Sequence, residues 1–186
     1  MGTQGVSVHV MPVDGDGLSA RAPAVDLLAV MLVNNEIGVV QPIADIAATT
    51  PGALVFCDAV QGYGRIAIPD CCDLVAISAH KIHGPKGVGA LWLRDGIALE
   101  PLLHGGGQER GRRGGTEPLP AIAALGAALG EAYDPARIAA LRDAIEAGLR
   151  EIVPDVVFAG EGAPRLPNTC LAVLPGVAAE TQVIAL

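Results

Sequence analysis

Apolar residues run along this chain in short blocks, set off by glycine, proline and acidic residues. "VSVHVMPV" (Val6 to Val13) alternates apolar with small or polar side chains, which predicts a strand, and "DGDG" then turns the chain. "LLAVMLV" (Leu27 to Val33) is apolar throughout, the pattern of a strand covered on both faces in a parallel sheet. Further strands are expected at Leu54 to Asp58, Leu74 to Ser78 and Gly89 to Leu93. Pro42 suits the first turn of a short helix over Ile43 to Thr49. Strands separated by loops and short helices predict an α/β sheet with ligands at the strand ends, over residues 1–133.

The second half changes period. Pro118 to Ala132 is alanine-rich and reads as a helix. Asp134 is a good N-cap and Pro135 fits the turn after it. Ile138, Leu141, Ile145, Leu149 and Ile152 then recur at spacings of three and four, one apolar stripe. Arg142, Glu146 and Arg150 fall four apart, as ion pairs on the exposed face. "VVFAG" and "TCLAVL" read as strands, so residues 134–186 are expected to begin a smaller α+β domain. The chain stops at Leu186 within a helical pattern, which reads as part of a longer fold.

Composition narrows the classes. With 186 residues and 51% hydrophobic side chains, the chain can bury a real core and is not disordered. A net charge of −8 argues against nucleic acid or an anionic membrane as the main partner. Its longest strongly apolar run, Leu27 to Val33, is far short of the about 20 residues a membrane helix needs. The N-terminus lacks the basic start and apolar core of a signal peptide, so a cytoplasmic location is expected. Cys57, Cys71, Cys72 and Cys170 form no C-x-x-C pair and read as small buried hydrophobes, with no metal site expected.

The candidate chemistry lies in "SAHKIHGPKGVGALWLR", Ser78 to Arg94, which holds both lysines of the chain; the other ten basic residues are arginine. Lysine, unlike arginine, can lose a proton and act as a nucleophile towards a carbonyl. Lys81 directly follows a predicted strand beside His80 and is the candidate reactive amine, whereas Lys86 in "GPKG" is a charge in a turn. "GPKGVG" does not have the spacing of a nucleotide phosphate loop. Asp58 ends the neighbouring strand; it could hold a proton on a pyridine nitrogen or simply cap a turn. "HGGGQERGRRGGTE" (His104 to Glu117) could bind anions through backbone N–H groups, and the acidic chain without interleaved aromatics argues against RNA. His83 and His104 read as loop residues near the site.

"VNNEIGVVQPI", "CDAVQGYGRI", "SAHKIHGPKGVGALWLR" and "HGGGQERGRRGGTE" occur in the order, and near the spacing, of the cysteine desulfurases, and the resemblance covers essentially the whole chain. It implies a pyridoxal-phosphate enzyme of the class V aminotransferase fold, in which this chain is the central part of the fold type I large domain and the start of the small one. By position, Lys81 matches the Schiff-base lysine and Asp58 the partner of the pyridine nitrogen. Gln61 and Asn35 match residues bonding the cofactor's phenolic oxygen, and Ser78 and His80 match phosphate contacts. Thr116 matches a threonine reaching the phosphate of the neighbouring subunit, so a homodimer is implied. The implied reaction takes sulfur from L-cysteine, leaving alanine and an enzyme persulfide, for a sulfur-acceptor scaffold protein in iron–sulfur cluster assembly or other sulfur transfer. Family members are about twice as long. Their phosphate loop, ring-stacking histidine, carboxylate-binding arginine and nucleophilic cysteine have no match here, so a catalytically incomplete chain is expected. Another class V enzyme such as a selenocysteine lyase, and a non-catalytic truncated product, are the alternatives.

Overall fold

The computed structural model describes residues 5–130 and 133–185. Its main sheet has four strands in sequence order: β1 (Leu27–Met31), β2 (Leu54–Asp58), β3 (Leu74–Ser78) and β4 (Gly89–Leu93). The first three are parallel and β4 returns antiparallel against β3. A helix α1 (Ile43–Ala48) crosses from β1 to β2. Two helices follow, α2 (Leu119–Ala128) and α3 (Pro135–Ile152), then a two-stranded antiparallel ribbon of β5 (Val157–Phe158) and β6 (Ala172–Val173), and α4 (Ala179–Ala185).

One sheet face carries the core. Leu28, Val30, Val55, Cys57 and Val75 point to it and meet Leu32, Ile43, Ile46 and Leu166. Burying each such aliphatic side chain contributes about 1.5–3 kcal/mol, and this layer fixes the register of β1, β2 and β3. Asp73 reinforces the β2 start: its Oδ2 accepts from the Val55 N–H at 2.9 Å, and its Oδ1 from Arg94 Nε at 2.9 Å.

The sequence expectations hold for the boundaries of β2, β3 and β4, and α1 ends one residue before Thr49. Four others are corrected. Leu27 to Val33 is not covered on both faces: within β1 burial alternates, with Leu27 and Met31 exposed, because none of the described residues buries that side of the strand. Val6 to Val13 forms no strand; its valines are exposed and no described strand pairs with it. The alanine-rich helix begins at Leu119 and ends at Ala128; Ala132 lies outside the described residues.

The fourth correction concerns α3. It starts as expected, with the Asp134 carboxylate accepting from the Arg137 N–H at 3.0 Å. Its apolar stripe is only partly covered, however, with Ile138 and Leu149 half-buried. Leu141, Ile145 and Ile152 of the apolar stripe are exposed, whereas Glu146 is only 6% exposed. Glu146 Oε1 pairs with Arg165 Nη2 at 3.0 Å and lies 4.0 Å from Arg142 Nε, and Arg150 pairs with Glu161 instead. The partner that Glu146 finds in the β5–β6 connection is invisible to helical periodicity.

Candidate active site

Parallel strands collect their following loops at one edge of the sheet. The register sets Met31 beside Asp58 and Asp58 beside Ala76, so the ends of β1, β2 and β3 lie side by side. Asn35 lies just past β1, Asp58 and Gln61 at the end of β2, and Ser78, His80 and Lys81 at the end of β3. Strand order therefore places the candidate residues of three separate segments in loops at this one edge. Thr116 is exposed in the loop before α2 and takes part in no hydrogen bond among the described residues.

Asp58 ends β2 with its backbone held on both sides: its carbonyl accepts from the Leu32 N–H at 2.8 Å, and the next N–H, of Ala59, donates to the Ala76 carbonyl at 3.0 Å. Its side chain is exposed, and Oδ1 accepts from the Val60 N–H at 3.0 Å. The turn-capping role is thus present, and Oδ2 makes no hydrogen bond among the described residues. A tight turn follows, with the Gly62 and Tyr63 N–H groups donating to the Ala59 carbonyl.

Lys81 closes a short 3₁₀ turn, Ala79–Lys81, and is half-buried. Three backbone bonds shape the turn: Ile82 N–H and Gly84 N–H both donate to the Ala79 carbonyl, and Ala79 N–H to the Val88 carbonyl. A Cβ on Gly84 would come within 2.8 Å of the Ala79 Cβ, so the return of the chain is made for glycine. Ser78 Oγ lies 2.7 Å from His80 Nδ1, pairing a hydroxyl with an imidazole at the strand end. Lys86, in the next turn, is exposed.

Two contributors escaped the sequence reading. Asn34, not its neighbour Asn35, shapes the loop after β1, its Oδ1 accepting from the Glu36 and Ile37 N–H groups at 2.9 and 3.0 Å. The asparagine-rich "NNE" was its signal, as an Asx turn. Arg65 donates to the carbonyls of both Gln61 and Lys81, and no local pattern announces that. A cleft of about 580 Å³ is lined by Tyr63, Arg65, Ile82, His83, Tyr133 and Leu141 among others, and by none of Asn35, Asp58, Gln61, Ser78, His80 or Lys81. Among the described residues, no group of three or more His, Cys, Asp or Glu could hold a metal, and no helix is long and apolar enough to cross a membrane.

The buried cysteines are chemically quiet. Burial pushes the Cys57 thiol up from its ordinary range and the Cys72 thiol to about 12, so both stay protonated near neutral pH.

A mostly parallel α/β sheet with an amine, a carboxylate, amides and a hydroxyl–imidazole pair at its carboxyl edge defines an α/β chain of the fold type I class. The aminotransferase class-V family matches residues 1–186, and the chain belongs to that family. It is 45% identical over 184 residues to a cysteine desulfurase of Cereibacter sphaeroides, covering 91% of this chain and 48% of that protein. A solved NifS-like protein superposes with a TM-score of 0.83 at 32% identity, covering 98% of this chain and 55% of the other. SspA in complex with cysteine superposes with a TM-score of 0.71 at 33% identity, covering 90% and 50%. The chain spans about half the length of the curated relatives it matches.

Proposed function

We propose that this chain carries the cofactor-holding part of a cysteine desulfurase, with pyridoxal 5′-phosphate bound at the carboxyl edge of the sheet and L-cysteine as substrate. The observation that carries the reading is the half-buried Lys81, set on a backbone-locked turn one strand away from the Asp58 carboxylate. The donor set fits the cofactor part by part. An amine suits its aldehyde, a carboxylate its pyridine nitrogen, amides its phenolic oxygen, and a hydroxyl–imidazole pair its phosphate. When bound, pyridoxal phosphate supplies an electron-poor ring that accepts the electron pair released at the substrate's α carbon.

The residues of this chain then have distinct tasks. Lys81 would hold the cofactor through its aldehyde, and its amine would move the proton at the substrate's α carbon. Asp58 holds a proton on the ring nitrogen. Gln61 and Asn35 orient the ring through its phenolic oxygen, while Ser78 and His80 hold the phosphate, joined by Thr116 of a second copy in a homodimer. In the overall reaction a thiolate attacks the substrate sulfur. The S–S bond forms, the C–S bond breaks with its electron pair left on carbon, and protonation there yields alanine. Cys57 and Cys72 are excluded as that thiolate by their burial and high proton affinity. Residues 1–133 are assigned to the large cofactor domain and 134–186 to the start of the small one. We place the protein in the cytoplasm, serving a sulfur-acceptor scaffold in iron–sulfur cluster assembly or a similar pathway.

The experiment is to reduce the chain with borohydride in the presence of pyridoxal phosphate and map the adduct by mass spectrometry. Labelling of Lys81 that disappears in Lys81→Ala is expected. No adduct, or equal labelling of Lys86, would overturn the assignment.

A further inference from the structure

The turn that carries Lys81 is held from inside by the Ala79 carbonyl, which accepts from Ile82 N–H at 3.0 Å and Gly84 N–H at 2.8 Å. His83, between those donors, takes φ of 68°, the left-handed region that a residue with a Cβ avoids. Such a turn keeps its shape only if its surroundings over-determine it. The carbonyl of Lys81 itself is not used within the turn. It accepts from Arg65 Nη2 at 2.7 Å, while Nη1 of the same guanidinium donates to the Gln61 carbonyl at 2.8 Å. The guanidinium is planar and its two terminal nitrogens are a fixed distance apart, so one group sets the separation of the two carbonyls. The Tyr133 ring backs it, with its centroid 5.9 Å from the Arg65 Cζ. No carboxylate pairs with Arg65 among the described residues, so its donors remain committed to backbone.

We propose that Arg65 is a positioning residue: its guanidinium clamps the backbones of Lys81 and Gln61 in one register, so that the amine and the amide are presented together to a single aldehyde-bearing cofactor. This rests on the reading of Lys81 given above. Arg65 acts through these two residues. A lysine at the same position could reach one carbonyl but could not bridge two at fixed spacing.

The test uses the whole chain and the variants Arg65→Met and Arg65→Lys. Without cofactor, amide hydrogen exchange at Ile82 and Gly84 is expected to quicken at least tenfold in Arg65→Met and to be only partly restored in Arg65→Lys, with the amides of β2 and β3 unchanged. With pyridoxal 5′-phosphate, the concentration that half-saturates borohydride trapping on Lys81 should rise at least tenfold in both variants. Wild-type exchange in Arg65→Met, full rescue by Arg65→Lys, or equal acceleration throughout the sheet would each overturn the clamp. So would unchanged trapping in both variants. If wild-type chain gives no Lys81 adduct, the cofactor reading fails, and the exchange measurements alone decide whether the clamp exists.

Discussion

Replacing Glu146 by leucine puts an apolar side chain of similar size into the most buried position of α3. Glu146 Oε1 and Arg165 Nη2 are 3.0 Å apart, which at an effective dielectric of about 20 is roughly 5–6 kcal/mol of gross attraction. Taking both charges out of water offsets most of it, so the intact pair adds little net stability. Removing only the carboxylate is different. Arg165, its side chain 7% exposed and its Nη1 already unpartnered, would keep a buried charge with nothing to face. Glu146→Leu should therefore lower stability by about 3–5 kcal/mol. The double variant Glu146→Leu/Arg165→Met removes both charges and should lose less than either single change, under about 2 kcal/mol. Urea denaturation followed by far-ultraviolet circular dichroism reads these numbers as shifts in midpoint at constant slope. Moderate salt should change them little, because the pair is hidden from solvent. A single-variant loss below about 1 kcal/mol, or a double variant equal to the sum of the singles, would refute the view that the two buried charges depend on each other.

Three further outcomes follow from the geometry. Asp58→Asn keeps an oxygen to accept from the Val60 N–H, so thermal stability should hold while trapping of pyridoxal phosphate on Lys81 falls at least tenfold; equal trapping would leave Asp58 as a turn cap only. Cys72, with its thiol raised from 9.0 to about 12, binds its proton more tightly folded than unfolded. That stabilisation is complete below pH 9.0 and declines towards about pH 12, at a limiting slope of about 1.4 kcal/mol per pH unit, so the wild-type urea midpoint should fall relative to that of Cys72→Ala across that window, and a constant difference would refute it. A Cβ at Gly89 would come within 2.5 Å of the Ile77 carbonyl oxygen, so Gly89→Ala should force β3 and β4 apart and lose about 1–3 kcal/mol; an unchanged melting temperature would count against that strand pairing.

Much of the strand layout was legible because it is local. β2, β3 and β4 are apolar blocks with turn residues at both ends, and their limits coincide with the pattern. Asp134 and Pro135 announced α3 because a cap acts over three residues. The candidate residues were found one motif at a time, and the shared edge that unites Asp58 with Ser78 and Lys81 follows from strand order and direction. Val6 to Val13 shows the converse: alternation is necessary for a half-buried strand but does not supply a partner to bond with.

What the sequence determined by itself is therefore the set of elements, their caps, and the residue types capable of the chemistry, because periodicity, turn propensity and side-chain reactivity are properties of a few adjacent residues. The tertiary structure alone decided which face of α3 is inward, which side of the sheet is covered, and that Arg65 joins Gln61 to Lys81. Those rest on contacts between distant segments, such as Arg165 with Glu146 and a guanidinium with two backbone carbonyls. A carbonyl is the same at every position, so no pattern of side chains could have named the ones it finds.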